Sequence, residues 1–249
     1  MRSSLIYART EPISTAVVTL GIDPIDMLST ASPNPRHLLL LPPVTDDYTI
    51  NQHTGFNVID GASDVERFLL SDEGKKHAWL DMRERDFADD LLPQEIAELL
   101  YLAHKKTHMT LPFYYKLQNE YARVPMPTGL VNSYWRHPDE FAAVLSAAVN
   151  RQLQTLLSAH PFWAIGNRHN RGMIPLKAQL QSQWHDMLPD GLGFDFGRAK
   201  VNNAEVRIPI LRIQERQLLL GVDESADNAQ ELGYLLLDRK ARKWHLDLN

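Results

Sequence analysis

The stretch Arg168-His169-Asn170-Arg171-Gly172 holds the residue types that bear most directly on chemistry in this chain. Two guanidiniums three positions apart can clamp a phosphate or carboxylate through forked N–H donors. An imidazole between them titrates nearest neutrality and can donate or accept a proton. The stretch sits in a predicted loop just ahead of a helix expected over 176–188, whose first amides would add donors for an anion. Upstream, residues 114–136 interleave rings and cations: Tyr114, Tyr115, Lys116, Tyr121, Arg123, Tyr134, Trp135 and Arg136. Alternation of this kind suits stacking against bases or a sugar ring. On a strand, the same Tyr and Trp residues would be favoured for packing alone.

These residues define an expected ligand site of Arg136, Arg168, His169 and Arg171, taking a small anionic ligand or an acidic protein surface. A sequence pI near 6.0 argues against a dedicated nucleic-acid binder, whose footprint is strongly basic. Two functional readings follow. In the first the protein is a non-catalytic binding or regulatory protein. In the alternative it is an enzyme acting on a small phosphorylated or carboxylated substrate, with Arg168 and Arg171 as the clamp and His169 as general acid/base. A third role is structural, with an edge of the last strands pairing between subunits.

The other candidate motifs dissolve when their chemistry is followed. His104 and His108 are spaced for one helix face, but Lys105 and Lys106 occupy the place where a zinc peptidase needs its glutamate. Four basic side chains at a helix C-terminus have an ordinary account in the helix dipole. Asp195-Phe196-Gly197 matches the metal-binding tripeptide of protein kinases without the glycine-rich loop or catalytic loop that should accompany it. The surrounding glycines, Gly191 to Gly197, lack the strand-then-helix context of a dinucleotide fingerprint and read as a loop with aromatic anchors. The run from Asp81 to Asp90 mixes carboxylates with arginines and reads as a solvated, self-compensating charge run. No metal and no cofactor is expected.

Composition narrows the rest. The chain has 249 residues and no cysteine, which excludes disulfides, thiolate metal sites and cysteine nucleophiles. The apolar run near Leu5 ends too soon for a signal peptide, and no apolar stretch approaches a membrane span. The expectation is a soluble, cytoplasmic protein with no membrane association. Charge is unevenly spread. Residues 1–100 carry 8 Lys+Arg against 17 Asp+Glu, residues 101–185 carry 9 against 3, and residues 186–249 carry 9 against 11. A basic middle of this kind marks an anion-binding face or a segment that packs against the acidic front.

The elements that must position these residues are read from periodicity. Strands are predicted over 4–10, 13–20, 36–41, 112–121 and 130–136, the last two around a Pro125-to-Gly129 turn. Ser63 and Glu66 predict a capping box opening a helix with a Val65, Phe68, Leu69 stripe. Pro93 predicts the start of a helix burying Ile96, Leu99, Leu100 and Ala103. A long helix is predicted over 138–160 on Phe141, Val144, Leu145, Ala148, Leu153, Leu156 and Leu157. The tail predicts a β-meander over about 204–248, with alternation at Val206 to Ile210, at Leu218 to Val222 and at Trp244 to Leu248. Leu235 to Leu237 should form its central strand, and Pro209 should force an edge or a bulge. The predicted fold is a single α+β domain, with helices from the middle of the chain packed on a mainly antiparallel sheet. A C-terminal antiparallel subdomain over 198–249 is a possible subdivision.

Overall fold

Every strand pairing in the described residues is antiparallel, and the meander predicted at the end of the chain is present. The structure is a computed structural model that describes residues 4–11, 16–30, 34–82, 84–105, 121–135, 140–158, 183–202, 204–218, 226–238, 240–241 and 243–249. It divides into two compact units, one of residues 11–19 and 23–141, the other of residues 1–10, 20–22 and 142–249.

The first unit is built on seven strands: β2 (Ala16–Leu20), β3 (His37–Leu40), β4 (Thr49–Ile50), β5 (Asn57–Asp60), β6 (Trp79–Met82), β7 (Tyr121–Pro125) and β8 (Val131–Trp135). Their order is β2-β8-β7-β6-β3-β5-β4, so the short β4 lies at an edge. Strand alternation sends Leu39, Leu80, Met82, Ala122, Val124 and Tyr134 to one face. Leu99, Leu102 and Ala103 of helix α4 (Pro93–Lys105) and Ala88 and Leu91 pack on that face. Ala88 belongs to a 3-10 turn, Arg85–Asp90, which replaces the expected solvated run with a partly anchored one. The hairpin turn falls where proline and glycine placed it, with Met126 N–H donating to Leu130 O at 2.8 Å. However, β7 begins at Tyr121 and runs to Pro125, beyond the strand predicted over 112–121, most of which lies outside the described residues.

Helices α1 (Pro24–Leu28), α2 (Ala62–Leu70) and α3 (Asp72–Lys76) come from the acidic front, so helices are not confined to the middle of the chain. The capping box expected from Ser63 and Glu66 does not form. Gly61, at φ 102°, is the N-cap, so the helix starts at Ala62 and both residues stand exposed inside its first turns. A capping box forms instead on α1, where Asp23 N–H donates to Asp26 Oδ2 at 2.9 Å, and a similar back-reach occurs at α4, where Leu92 N–H donates to Glu95 Oε2 at 2.8 Å. Glu95 is buried, whereas Leu100, assigned to the buried stripe, is 45 % exposed; Leu102 takes its place.

The second unit orders its strands β13 (Lys243–Leu248), β12 (Gln230–Asp238), β11 (Glu205–Arg212), β9 (Leu192–Asp195) and β1 (Leu5–Thr10), with β10 (Lys200–Val201) on β11. Leu235 to Leu237 lie in β12 between two neighbours, as their two-sided apolarity implies. The β11–β12 register shifts between Ile210 and Leu211, but the extra residue is Leu232 of β12, and Pro209 itself stays opposite Tyr234, between the stretches of β11 that pair with β10 and β9. Residues 191–197 are not simply a loop, because Leu192 to Asp195 form an inner strand buried along its whole length. Leu218 closes a short helix, α6 (Glu215–Leu218), and does not begin a strand. Helix α5 (Phe141–Ser158) buries the predicted Val144, Leu145, Ala148 and Leu153, and its Arg151 donates to Gly21 O at 2.8 Å. Among the described residues no helix is long and apolar enough to cross a membrane.

Candidate functional site

The four residues assigned to an anion site, Arg136, Arg168, His169 and Arg171, lie outside the described residues, as do Tyr114, Tyr115, Lys116 and His108. The remaining members of the basic and aromatic segment are described, and they are interior. Tyr121, Arg123, Tyr134 and Trp135 are each no more than 4 % exposed. Alternation along β7 and β8 places Tyr121, Arg123, Ser133 and Trp135 on the face opposite the α4 core. There Trp79, Tyr121, Trp135 and Phe141 form a continuous ring array, with centroids 5.1, 5.5 and 5.7 Å apart. Tyr121 and Trp135 stack and the outer pairs meet edge to face, the arrangements the ring quadrupole favours. The interleaving therefore serves packing at these four positions, and no base or sugar can reach the rings.

Arg123 has a defined structural task. Its Nη1 donates to the carbonyls of Lys75 at 2.6 Å and Gly74 at 3.5 Å, and Trp79 Nε1 also donates to Gly74 O at 3.2 Å. These carbonyls belong to the last turn of α3, where orphan acceptors need donors and favour a cation. Burial lowers the guanidinium pKa to about 10, partly offset by Asp23 and Tyr121. Next to it, burial and the charge of Asp81 push the Tyr121 phenol well above its ordinary 10.0, against a smaller opposing effect of Arg123. The Tyr121 hydroxyl has no hydrogen-bond partner among the described residues.

An open groove of about 910 Å³ runs along the β4 edge of the same unit. Its lining includes five aspartates, Asp47, Asp60, Asp64, Asp86 and Asp89, and two arginines, Arg67 and Arg85. The groove is thus acidic, but much of its charge is engaged locally. Arg67 Nη2 is 2.6 Å from Asp64 Oδ1, and Arg85 Nε is 3.2 Å from Asp60 Oδ2. His37 Nδ1 is 2.7 Å from the other Asp60 oxygen, and Asn51 Nδ2 donates to Asp89 Oδ1 at 2.6 Å. Elsewhere in the front Lys75 approaches Asp23 at 3.6 Å. At the groove wall the Tyr48 phenol is raised, first by burial and then by Glu73, to which it donates at 3.3 Å.

The kinase-like tripeptide is also accounted for. Asp195 closes β9: its Oδ1 accepts the N–H groups of Gly197 and Arg198 at 2.9 and 3.1 Å. Its Oδ2 pairs with Arg198 Nε at 2.6 Å. A buried carboxylate committed to a turn in this way has both oxygens occupied. No group of three or more metal-ligating side chains occurs among the described residues. Glycine spacing hid the strand that carries this turn. Gly191 and Gly193 lie so close to Ile213 that an added Cβ would stand 2.1 Å from its carbonyl oxygen and 2.7 Å from its Cδ1, respectively. Comparison with protein-family models, with curated proteins and with solved structures finds no match to this chain.

Proposed function

We propose that this chain is a cytoplasmic binding or regulatory protein that holds a small anion or an acidic partner surface through Arg136, Arg168, His169 and Arg171. The observation that supports this most is the excess of 9 Lys+Arg over 3 Asp+Glu in residues 101–185. Asp23, Asp60, Asp64 and Asp89 all find their partners among residues 37–85 of the same unit. These four carboxylates are engaged within the front, although Asp23 also acts on the buried Arg123 of the basic middle. Burial removes Tyr121, Arg123, Tyr134 and Trp135 as external candidates, and the proposal rests on Arg136 and the Arg168–Arg171 stretch. The chemistry of that stretch suits an oxyanion held by two forked guanidiniums.

A panel of phosphate, sulfate, nucleotides, sugar phosphates and polyanions tests the reading by thermal shift. A ligand at a hundredfold its Kd adds about 2.7 kcal/mol, a rise of roughly 5–10 °C for a chain of this size. Arg168→Ala combined with Arg171→Ala should abolish the rise. His169→Ala separates binding from catalysis: a binding protein keeps most of its affinity, whereas an enzyme would bind substrate and lose turnover. If no anion raises the melting temperature, the site does not exist.

A further inference from the structure

Strand β13 ends the sheet of its unit, and among the described residues β12 is its one neighbour strand. We infer that β13 is a self-complementary edge that pairs antiparallel with β13 of a second copy of this chain, extending the sheet across a two-fold axis. The backbone is oriented for it. Asn249 N–H donates inward to Leu232 O at 2.9 Å, and the register opposes Leu248 to Gly233. Antiparallel alternation then turns His245 and Asp247 toward β12 and directs the N–H and C=O of Leu246 and Leu248 outward.

The side chains fix the register and the occupant. Lys243, His245 and Asp247 share the polar face, while Trp244 and Leu246 share the apolar one. With His245 placed opposite its own copy, Lys243 of each strand faces Asp247 of the other, and Trp244 faces Leu246. A strand whose ends carry opposite charges equidistant from its centre is its own complement only in the antiparallel sense. Both charges are available for this. Lys243 makes no ion pair among the described residues, although Asp238 lies opposite it on β12. The Asp238 carboxylate is turned to the amides of Lys240 and Ala241, each at 2.8 Å. Asp247 is 60 % exposed and its closest cation, Arg207, is 3.9 Å away. Arg207 is itself held over the Tyr234 ring, 4.4 Å from the centroid. Charged side chains such as Lys243 can guard an edge, but β13 is six residues long and unbulged, and it buries Trp244 while leaving Leu248 48 % exposed.

Sedimentation equilibrium of the full chain from about 1 to 100 µM tests this. The mass should rise from 28.5 kDa toward twice that value. Lys243→Asp and Asp247→Lys should each weaken association by about tenfold or more, since each turns two attractive cross-strand pairs into repulsive ones. An equimolar mixture of the two variants should associate again, because one supplies two aspartates and the other two lysines. The double variant, Lys243→Asp with Asp247→Lys, should associate on its own. Circular dichroism confirms that each variant is folded, and the double variant keeps the strand's net charge should a single variant fail that check. A wild-type mass that does not change with concentration overturns the proposal. So does association that the single variants leave intact, or a mixture that stays monomeric.

Discussion

At the scale of single residues, Arg123 and Tyr121 show why residue type alone misled. Each was legible as chemistry, a cation beside rings, and each is interior chemistry. Arg123 satisfies two carbonyls at the end of α3, so Arg123→Ala leaves acceptors unmet and removes packing around Trp79. A loss of about 3 kcal/mol is expected in denaturant unfolding, the usual scale for removing one partner of a buried charged contact. Tyr121→Phe should act in the opposite direction. Its hydroxyl is buried without a partner among the described residues, so deleting it should stabilise the fold by about 1 kcal/mol. Its pH dependence has a definite sign. The folded-state phenol sits well above the unfolded value near 10, so above pH 10 the unfolded chain ionises first and stability falls. Tyr121→Phe removes that contribution. Arg123 works against the same fall, because its folded value, lowered to about 10, lets stability rise as pH climbs above about 10. The comparison of wild type with Tyr121→Phe therefore isolates the phenol.

At the scale of elements, readings from periodicity and from punctuation both divided: Leu100 of the α4 stripe is exposed and Leu218 closes a helix where alternation predicted a strand. The stripe of α2, the first turns of the α5 stripe, the alternation of β11 and the two-sided apolarity of β12 follow directly from which side chains must leave water, whereas Leu156 and Leu157 of α5 are half-buried and Leu248 of β13 is 48 % exposed. The turn at Pro125 to Gly129 follows from what proline removes and glycine permits. The capping box failed because Gly61 allowed a left-handed entry two residues earlier than the serine signal. The strand β9 was hidden because its glycines serve close approach, which no local pattern distinguishes from loop flexibility. Gly191→Ala tests that account. At φ 85°, with a Cβ 2.1 Å from Ile213 O, it should cost about 3 kcal/mol or more in chemical denaturation. An exposed turn glycine such as Gly129, at φ 84° with nothing near its Cβ, should cost only about 1 kcal/mol on the same substitution.

At the scale of the whole molecule, charge segregation is the property that links sequence to the proposed role. The acidic front was legible as an excess of carboxylates, but not as a set that finds its partners at home. That required the fold to bring Asp60 beside His37 and Arg85 and Asp89 beside Asn51, up to 38 positions apart in the chain, whereas Asp64 and Arg67 are neighbours on one face of α2. The proposed role assigns the basic middle, with 9 Lys+Arg against 3 Asp+Glu, an external anion as counter-charge. Titration calorimetry of the full chain with inorganic phosphate, sulfate and a nucleotide, beside the Arg168→Ala, Arg171→Ala variant, measures this directly. Saturable binding by the wild type, lost in the double variant while its fold is retained, is the expected result. Equal binding by the two proteins, or binding by neither, contradicts the account.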